Sequence, residues 1–410
     1  MTRIVWVFQM VLLLALLAGA GRTDGLPLLH TQGAQIVDAR GNVVILRGVN
    51  LGGWLVEEPW MQPFVTTPPP GTDFGPIKDH VSLWGTVEKC FGAAGMARVR
   101  TAFREAWVNE ADFARIHEAG LNCVRLPFLA SLADEPDGLV WLDRAVAWAG
   151  RHGIYVILDL HGAPGGQSGE PHTGQARQNR FFKDPANVAA AEALWTRIAR
   201  RYRDNPAVAG YDLINEPTGT PGSDTLYVVM DRLYRAVRAG DPSHLIFIED
   251  GYTGLQWMPH PAPCGWRNVV YSGHYYQFQA ESEADQRKGV DGYLAQIEKL
   301  RQSHSVPFYL GEFGLEPHGT PATVAYLVDA LGQKGIAWSL WTYKVIFRGN
   351  GGRSLWGLIY NAKPVAPLDP YRDSEADLIR KCAQLRSENL AEYAAVAQAF
   401  QDAAQAGRRP

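Results

Sequence analysis

Residues 208–217 read VAGYDLINEP, an apolar run that ends abruptly in an amide, a carboxylate and a proline. A short apolar run with such an end predicts a buried β-strand. Helical periodicity precedes the run in residues 187–206 and follows it in residues 224–242, and both stretches close with helix stop signals. Strand and helix therefore alternate here, which is typical of a parallel sheet whose faces are covered by helices.

The same alternation repeats along most of the chain. Helical patterns separate most of the apolar runs, although residues 251–266 carry none. Eight strand–helix repeats predict an α/β fold, a single (β/α)8 TIM barrel. The alternative is a doubly wound open sheet, but no strand is followed by a glycine-rich nucleotide-binding motif. Besides residues 208–217, the predicted strands are residues 43–50, 121–128, 154–162, 244–251, 268–276, 307–314 and 336–344.

Several segments lie outside this alternation. Two apolar runs around residues 39–42 predict an N-terminal β-hairpin. Residues 57–107 and 345–373 predict long loops on the C-terminal rim, where TIM barrels build their active sites. We therefore expect a catalytic barrel over residues 34–385, followed by a C-terminal helical extension over residues 386–410.

The first twenty residues predict a secretory signal peptide. Arg3 supplies a positive charge, residues 4–17 are apolar except for Gln9, and residues 18–20 form a small-residue cleavage signal. An uncleaved membrane anchor is the alternative, but the apolar part is short and no stop-transfer pattern follows. We expect a secreted protein, extracellular or periplasmic, without stable insertion in a membrane.

Composition narrows the partners. The 410 residues include 39 basic and 42 acidic ones, for a net charge of -3, and no basic run occurs, so nucleic acid is not an expected partner. Four scattered cysteines without CxxC spacing argue against a zinc site and a disulfide scaffold, and they leave any pairing open. Aromatic residues make up 11% of the chain, which fits a sugar-binding cleft as well as a large core. We expect a monomer that binds an oligo- or polysaccharide.

Two glutamates are predicted at strand ends on the same rim. Glu216 ends the fourth predicted strand and Glu312, in LGEFG, ends the seventh. Closure of the barrel brings these two ends across from each other. Two carboxylates that face one cleft can hydrolyse a glycosidic bond, one as acid/base and one as nucleophile, with retention at a separation of roughly 5–5.5 Å. The competing interpretation is a pair of ordinary rim residues held in ion pairs.

Further rim residues are expected to surround the two glutamates. Arg125 could keep a carboxylate ionised, Tyr276 could donate a hydrogen bond to it, and Asn215 could hold a sugar hydroxyl. Trp341 could stack on the apolar face of a sugar ring. Each also has a structural alternative as an ion pair, a hydrogen-bonded core residue or barrel filling. The predicted substrate-binding set is Arg125, His161, Asn215, His274, Tyr276 and Trp341.

Metal and serine chemistry have little support in the sequence. His161, Glu170 and His172 lie close in sequence, but their spacing in a Gly- and Pro-rich loop matches no helix-borne zinc motif. No GxSxG motif follows a strand. We therefore expect no catalytic metal.

The motifs LINEP and LGEFG on the fourth and seventh strands resemble the signature of family 5 glycoside hydrolases, the cellulase family within the 4/7 clan. The segments RGVNLGGWLVEEPW and DLHGAPGGQSG most resemble the exo-β-1,3-glucanase branch. The resemblance covers residues 34–385. It implies that Glu216 is the acid/base, that Glu312 is the nucleophile, and that no cofactor is needed. The loop HGAPGGQSGEPHTGQ departs from that branch, which puts linkage and exo or endo action in question.

These observations favour a secreted retaining β-glycosidase acting on a β-glucan or β-glucoside. Endo-β-1,4-glucanase, β-mannanase and glycolipid glycosidase are alternatives on the same scaffold. A non-catalytic carbohydrate-binding barrel, which would use tryptophans for stacking, is an alternative of another class. Transglycosylation also stays open, because a sugar can replace water as the acceptor.

Overall fold

The computed structural model describes residues 25–348 and 354–406, so the predicted signal peptide lies outside the described residues. An antiparallel hairpin of β1 (Leu29–Gln32) and β2 (Gln35–Asp38) precedes a closed barrel of eight parallel strands. The predicted (β/α)8 barrel is confirmed. Its strands are β3 (Arg47–Asn50), β4 (Cys123–Leu129), β5 (Tyr155–Gly162), β6 (Val208–Asp212), β7 (Leu245–Glu249), β8 (Val269–Tyr276), β9 (Phe308–Gly314) and β10 (Ala337–Leu340).

Helices cover the outside of the barrel. The connection after β7 contains only a 3₁₀ turn at Leu255–Trp257 and a one-turn helix, as its lack of periodicity predicts. The helices are α1 (His80–Trp107), α2 (Glu110–Glu118), α3 (Val140–Arg151), α4 (Pro185–Tyr202), α5 (Ser223–Gly240), α6 (Pro261–Cys264), α7 (Glu283–His304), α8 (Pro321–Gln333), α9 (Glu375–Cys382) and α10 (Ala394–Ala406).

The segment 57–107, predicted as a long loop, contains the longest of these helices. Helix α1 begins at a capping box in which Asp79 and Ser82 satisfy each other's main-chain N–H groups. Gly92, with φ of 69°, interrupts the helical geometry and disguises the periodicity of the segment. Buried side chains on both sides of this kink, including Trp84 and Phe103, join the main core. A packed helix therefore lies where the sequence predicted an irregular rim loop.

The hairpin closes the N-terminal end of the barrel. Leu29 and Ile36 belong to the same apolar cluster as the inward-facing side chains of the barrel strands. The main-chain N–H of Thr31 donates to Asn268 (2.7 Å), the residue before β8. The hairpin turns at Gly33, while the predicted turn at residues 39–42 leads to a single further bridge between Val37 and Val43.

The C-terminal part of the chain packs on the barrel. A small sheet joins β11 (Lys344–Val345), β12 (Ile359–Tyr360) and β13 (Ala391–Glu392), and α10 packs against α8. Within α10, the ring of Phe400 lies 5.1 Å from that of Trp338, centroid to centroid. Residues 386–406 therefore share a core with the barrel.

Among the residues that the structure describes, no helix combines the length and apolar character needed to cross a bilayer. All four cysteines lie in this part of the chain, and none is paired in a disulfide.

Candidate active site

A layer of buried charged groups lies above the apolar filling of the barrel. Inward residues such as Phe247 and Tyr309 form the filling. Because side chains alternate along a strand, the inward position two residues after Phe247 is Glu249. The same layer contains Arg125, Asp159, Asp212, Glu249 and Glu312, none of them more than 4% exposed.

Arg125 stands at the centre of this layer. Its guanidinium contacts four carboxylates, those of Asp159 (3.1 Å), Asp212 (2.9 Å), Glu249 (3.1 Å) and Glu312 (2.7 Å). Burial opposes its charge, but these carboxylates raise the pKa of Arg125 well above its ordinary value. A buried charge is stable only when it is paired and hydrogen-bonded, so this layer requires a permanently cationic arginine.

An irregularity in the sheet turns Glu312 toward the same opening. The pairing of β8 with β9 shifts register between Gly273 and His274, which leaves Gly311 without a partner and lets Glu312 pair with His274. A larger residue than Gly311 would crowd this bulge, because a Cβ there would lie 3.0 Å from both the imidazole Nε2 of His274 and the hydroxyl oxygen of Ser272.

The two predicted glutamates come together. One carboxylate oxygen of Glu216 and one of Glu312 lie within 4.8 Å of each other and of a ring nitrogen of His274. The Nδ1 atom of His274 is 2.8 Å from Glu216 Oε1 and 3.6 Å from Glu312 Oε2. Burial opposes the charge of this imidazole, but the surrounding carboxylates, Glu249 first, raise the pKa of His274 well above its ordinary value. A protonated imidazole has no lone pair for a cation, so this trio suits a shared proton better than a metal.

Glu216 lies four residues beyond the end of β6, not on the strand itself as predicted. Its backbone is left-handed, with φ of 40°, a conformation that costs a residue other than glycine about 1–3 kcal/mol. Its Oε1 atom accepts from His274 and from the hydroxyl of Tyr252 (2.8 Å), while Oε2 faces His172 at 3.6 Å. Burial would raise the pKa of Glu216, but the hydrogen bonds and charges of these neighbours lower it.

Glu312 is held by two donors. Arg125 donates to its Oε1 atom at 2.7 Å, and the hydroxyl of Tyr276 donates to Oε2 at 2.6 Å. Burial, together with the Glu312 charge, raises the pKa of Tyr276 well above its ordinary value, so Tyr276 stays a donor. The predicted neighbourhood of Arg125, Tyr276 and Glu312 is therefore the one the structure contains.

The remaining predicted residues also reach this site. The ring of His161 stacks on Trp341 with centroids 5.4 Å apart, and His161 Nδ1 is 2.7 Å from Asp159. Burial lowers the pKa of His161 to about 3, so this imidazole is neutral. Asn215 accepts from Arg125 at 2.9 Å and places its amide nitrogen 3.5 Å from His161 Nε2.

A pocket of about 440 Å³ opens above these groups. One wall is aromatic, because the rings of Tyr276 and Phe278 stack 5.6 Å apart and Trp356 lies 5.8 Å from Tyr276. Ionisable side chains such as Glu58, Glu170 and His172 also line the pocket. The pocket is lined by Glu58, Trp60, His161, Glu170, His172, Asn215, Glu216, Tyr252, Tyr276, Phe278, Glu312, Trp341 and Trp356.

Three residues that line the pocket were not predicted from the sequence: Glu58, Tyr252 and Phe278. Burial raises the pKa of Glu58 to about 7, and its Oε2 atom accepts from the indole of Trp60 at 2.9 Å. The available signal for Glu58 was its position in the loop directly after the first barrel strand. Tyr252 lies three residues beyond the end of β7, so strand-end position could have found it.

A closed parallel barrel with two close carboxylates in a rim pocket is the arrangement of a glycoside hydrolase. The chain belongs to the cellulase family, glycosyl hydrolase family 5, whose model matches residues 88–345.

Curated relatives agree with this family. The chain is 32% identical to a β-xylosidase of Phanerodontia chrysosporium, over 78% of this chain and 72% of the relative. It is 33% identical to a probable glucan 1,3-β-glucosidase A of Aspergillus niger, over 65% of this chain and 63% of that relative. The match thus spans less than two thirds of the second relative. Among solved structures, the rutinosidase from Aspergillus niger shares the fold, with a TM-score of 0.58, 16% identity, and coverage of 83% of this chain and 98% of that one.

Proposed function

We propose that the protein is a secreted retaining β-glycosidase that hydrolyses β-glucosidic bonds in a β-glucan or β-glucoside, in the manner of an exo-β-1,3-glucanase. The observation that carries this proposal is the approach of Glu216 and Glu312 to within 4.8 Å in one pocket. Retaining enzymes have carboxyl groups about 5–5.5 Å apart, whereas inverting enzymes need about 6.5–9.5 Å to admit a water molecule.

The contacts of the two glutamates divide their roles. Glu312, held by Arg125 and Tyr276, attacks the anomeric carbon while Glu216 gives its proton to the glycosidic oxygen. The leaving group departs as an alcohol, and a glycosyl ester of Glu312 remains. Glu216 then takes a proton from water, the water oxygen attacks the anomeric carbon, and Glu312 is released.

Proton supply for the first step comes from the contact between His274 and Glu216. In the resting pocket this pair holds its proton on the imidazole, because the pKa of His274 is raised and that of Glu216 is lowered. Bound substrate covers the carboxyl group of Glu216 and excludes water, and desolvation favours the neutral carboxyl group. The proton then moves along the 2.8 Å contact to Glu216.

The choice of a β-glucan or β-glucoside draws on the relatives, which are named as a β-xylosidase and probable glucan 1,3-β-glucosidases. Trp341 supplies a flat apolar surface and Asn215 an amide for a ring in the pocket. Endo-β-1,4-glucanase, β-mannanase and glycolipid glycosidase activities remain the alternatives within the family. Secretion belongs to the proposal as well, and rests on the signal-peptide pattern of residues 1–20.

A glycan panel of laminarin, cellulose, mannan and a glycolipid tests the proposal, with product lengths read by chromatography. We expect glucose as the first product from laminarin, and the anomeric configuration of that product, read by NMR, should match the bond cleaved. Glu312→Gln should abolish release, while Glu192→Gln, a matched change on the outer helix α4, should retain it. An inverted product, or wild-type turnover in Glu312→Gln, would contradict double displacement. Tight binding without release across the panel would indicate a carbohydrate-binding protein instead.

A further inference from the structure

Glu249 is a buried carboxylate that contacts Glu216 and its partner His274 on one side and Arg125, the partner of Glu312, on the other. It does not line the pocket. It is the last residue of β7 and is 2% exposed. Its Oε2 atom accepts from the main-chain N–H of Glu216 at 2.8 Å. Its Oε1 atom lies 3.1 Å from Arg125 Nη2 and 3.3 Å from His274 Nε2. Three N–H groups from three different elements therefore converge on one side chain, two through hydrogen bonds and that of His274 through an ion pair.

These contacts close a ring around Glu216. Glu249 accepts from the main chain of Glu216 and forms an ion pair with one nitrogen of His274 at 3.3 Å. The other nitrogen of His274 contacts the carboxylate of Glu216 at 2.8 Å. Glu216 needs this support, because its left-handed backbone at φ of 40° lies beyond the end of β6. Such a conformation persists only when surrounding contacts determine it. The ring fixes both the position of the Glu216 backbone and the direction of its carboxylate.

We propose that Glu249 is a positioning residue for proton transfer by Glu216, an inference that rests on the proposed function. A glutamine at 249 would keep one acceptor oxygen, but its NH2 group would face a donor on Arg125 or His274. An aspartate would keep the charge but is shorter by one carbon–carbon bond, about 1.5 Å. Neither replacement can serve all three donors at their present distances.

The test compares leaving groups on a single sugar. Wild type, Glu249→Gln and Glu249→Asp are assayed on aryl glycosides whose phenols range from weakly to strongly acidic. A misplaced general acid slows departure of poor leaving groups and spares good ones, which need no proton. We expect kcat/KM to fall by roughly 10- to 100-fold for the least acidic phenol and by less than about threefold for the most acidic. Equal losses across the series, or no loss, would overturn the inference.

Asp212→Asn is the matched control. Asp212 is also fully buried and also contacts Arg125, at 2.9 Å, but it contacts neither Glu216 nor His274. The loss of kcat/KM in Asp212→Asn should be the same for every leaving group. Thermal unfolding of each variant identifies those that fold. If Glu249→Gln does not fold, the comparison is made with Glu249→Asp alone. Glu216→Gln separates the two proposals, because the proposed function fails if that variant shows no leaving-group dependence. If only Glu249→Gln and Glu249→Asp lack this dependence, the inference about Glu249 alone is wrong.

Discussion

Two tyrosines offer a direct test of which glutamate plays which role. The hydroxyl of Tyr252 donates to Glu216 at 2.8 Å, and that of Tyr276 donates to Glu312 at 2.6 Å. Replacement by phenylalanine removes one hydrogen bond to one carboxylate and leaves the ring in place. The pair of variants therefore perturbs the proposed acid/base and the proposed nucleophile separately.

The expected shift follows from the strength of one hydrogen bond. A hydrogen bond to a charged group contributes about 1.5–3 kcal/mol, and Tyr252 is half-exposed, so the lower end applies. One pKa unit corresponds to about 1.4 kcal/mol, so Tyr252→Phe should raise the pKa of the His274–Glu216 pair by about one unit. The sign is upward because the lost donor stabilised the ionised carboxylate. The alkaline limb of activity, where the acid loses its proton, should move to higher pH by that amount.

The assay is the pH dependence of kcat/KM on an unactivated oligosaccharide, since this parameter reports groups of the free enzyme. Tyr252→Phe should move the alkaline limb, whereas Tyr276→Phe should lower kcat/KM and leave that limb in place, because its hydroxyl contacts Glu312 and not Glu216. Circular dichroism confirms that both variants fold. If Tyr276→Phe moved the alkaline limb and Tyr252→Phe did not, the roles of Glu216 and Glu312 would have to be exchanged. An alkaline limb that stays in place in both variants would mean that Glu216 is not the acid whose ionisation limits the rate.

Three further changes test other parts of the structure. Burial lowers the pKa of Lys344 to about 8, below its unfolded value of about 10.4, so the unfolded state binds more protons between these pH values. Stability to urea should therefore rise by about 3 kcal/mol across that window, and Lys344→Met should abolish the rise; parallel curves would contradict the buried ammonium. Gly311→Ala should lower kcat, because its Cβ would press on the imidazole of His274 and on the Ser272 hydroxyl, each 3.0 Å away. Thermal unfolding should show the loss of about 1–3 kcal/mol that overpacking costs, and full activity would refute the close contact. Phe400→Ala should destabilise the protein by about 3–5 kcal/mol, measured by chemical unfolding, because its buried ring packs on Trp338; a change below about 1 kcal/mol would mean that α10 adds little to the core.

The sequence predicted the barrel well because its strands are buried on both faces. Each central strand therefore reads as a continuous apolar run, and eight such runs leave few alternative folds. Helix α1 was missed because Gly85, Gly92 and Gly95 interrupt its pattern, and burial of its tryptophans and Phe103 outweighs their low propensity.

The sequence predicted which side chains converge at the candidate site, but not the contacts that hold them in position. Strand ends identified Glu216, Glu312 and their six neighbours, because barrel closure brings such ends together. Glu249 also ends a strand, yet its role depends on the left-handed turn at Glu216, which no local pattern indicates. The contact of His172 with Glu216 likewise joins residues that are far apart in the chain, so no local pattern predicts it.

The hairpin of β1 and β2 has a practical consequence. It sits at the end of the barrel opposite the pocket, where Tyr155 donates to the carbonyl of Pro27 at 2.9 Å. A resin, bead or electrode coupled at residue 25 would thus hold the molecule with its pocket directed toward the surrounding solution. Long insoluble polymers could then reach the immobilised molecule without steric obstruction from the support.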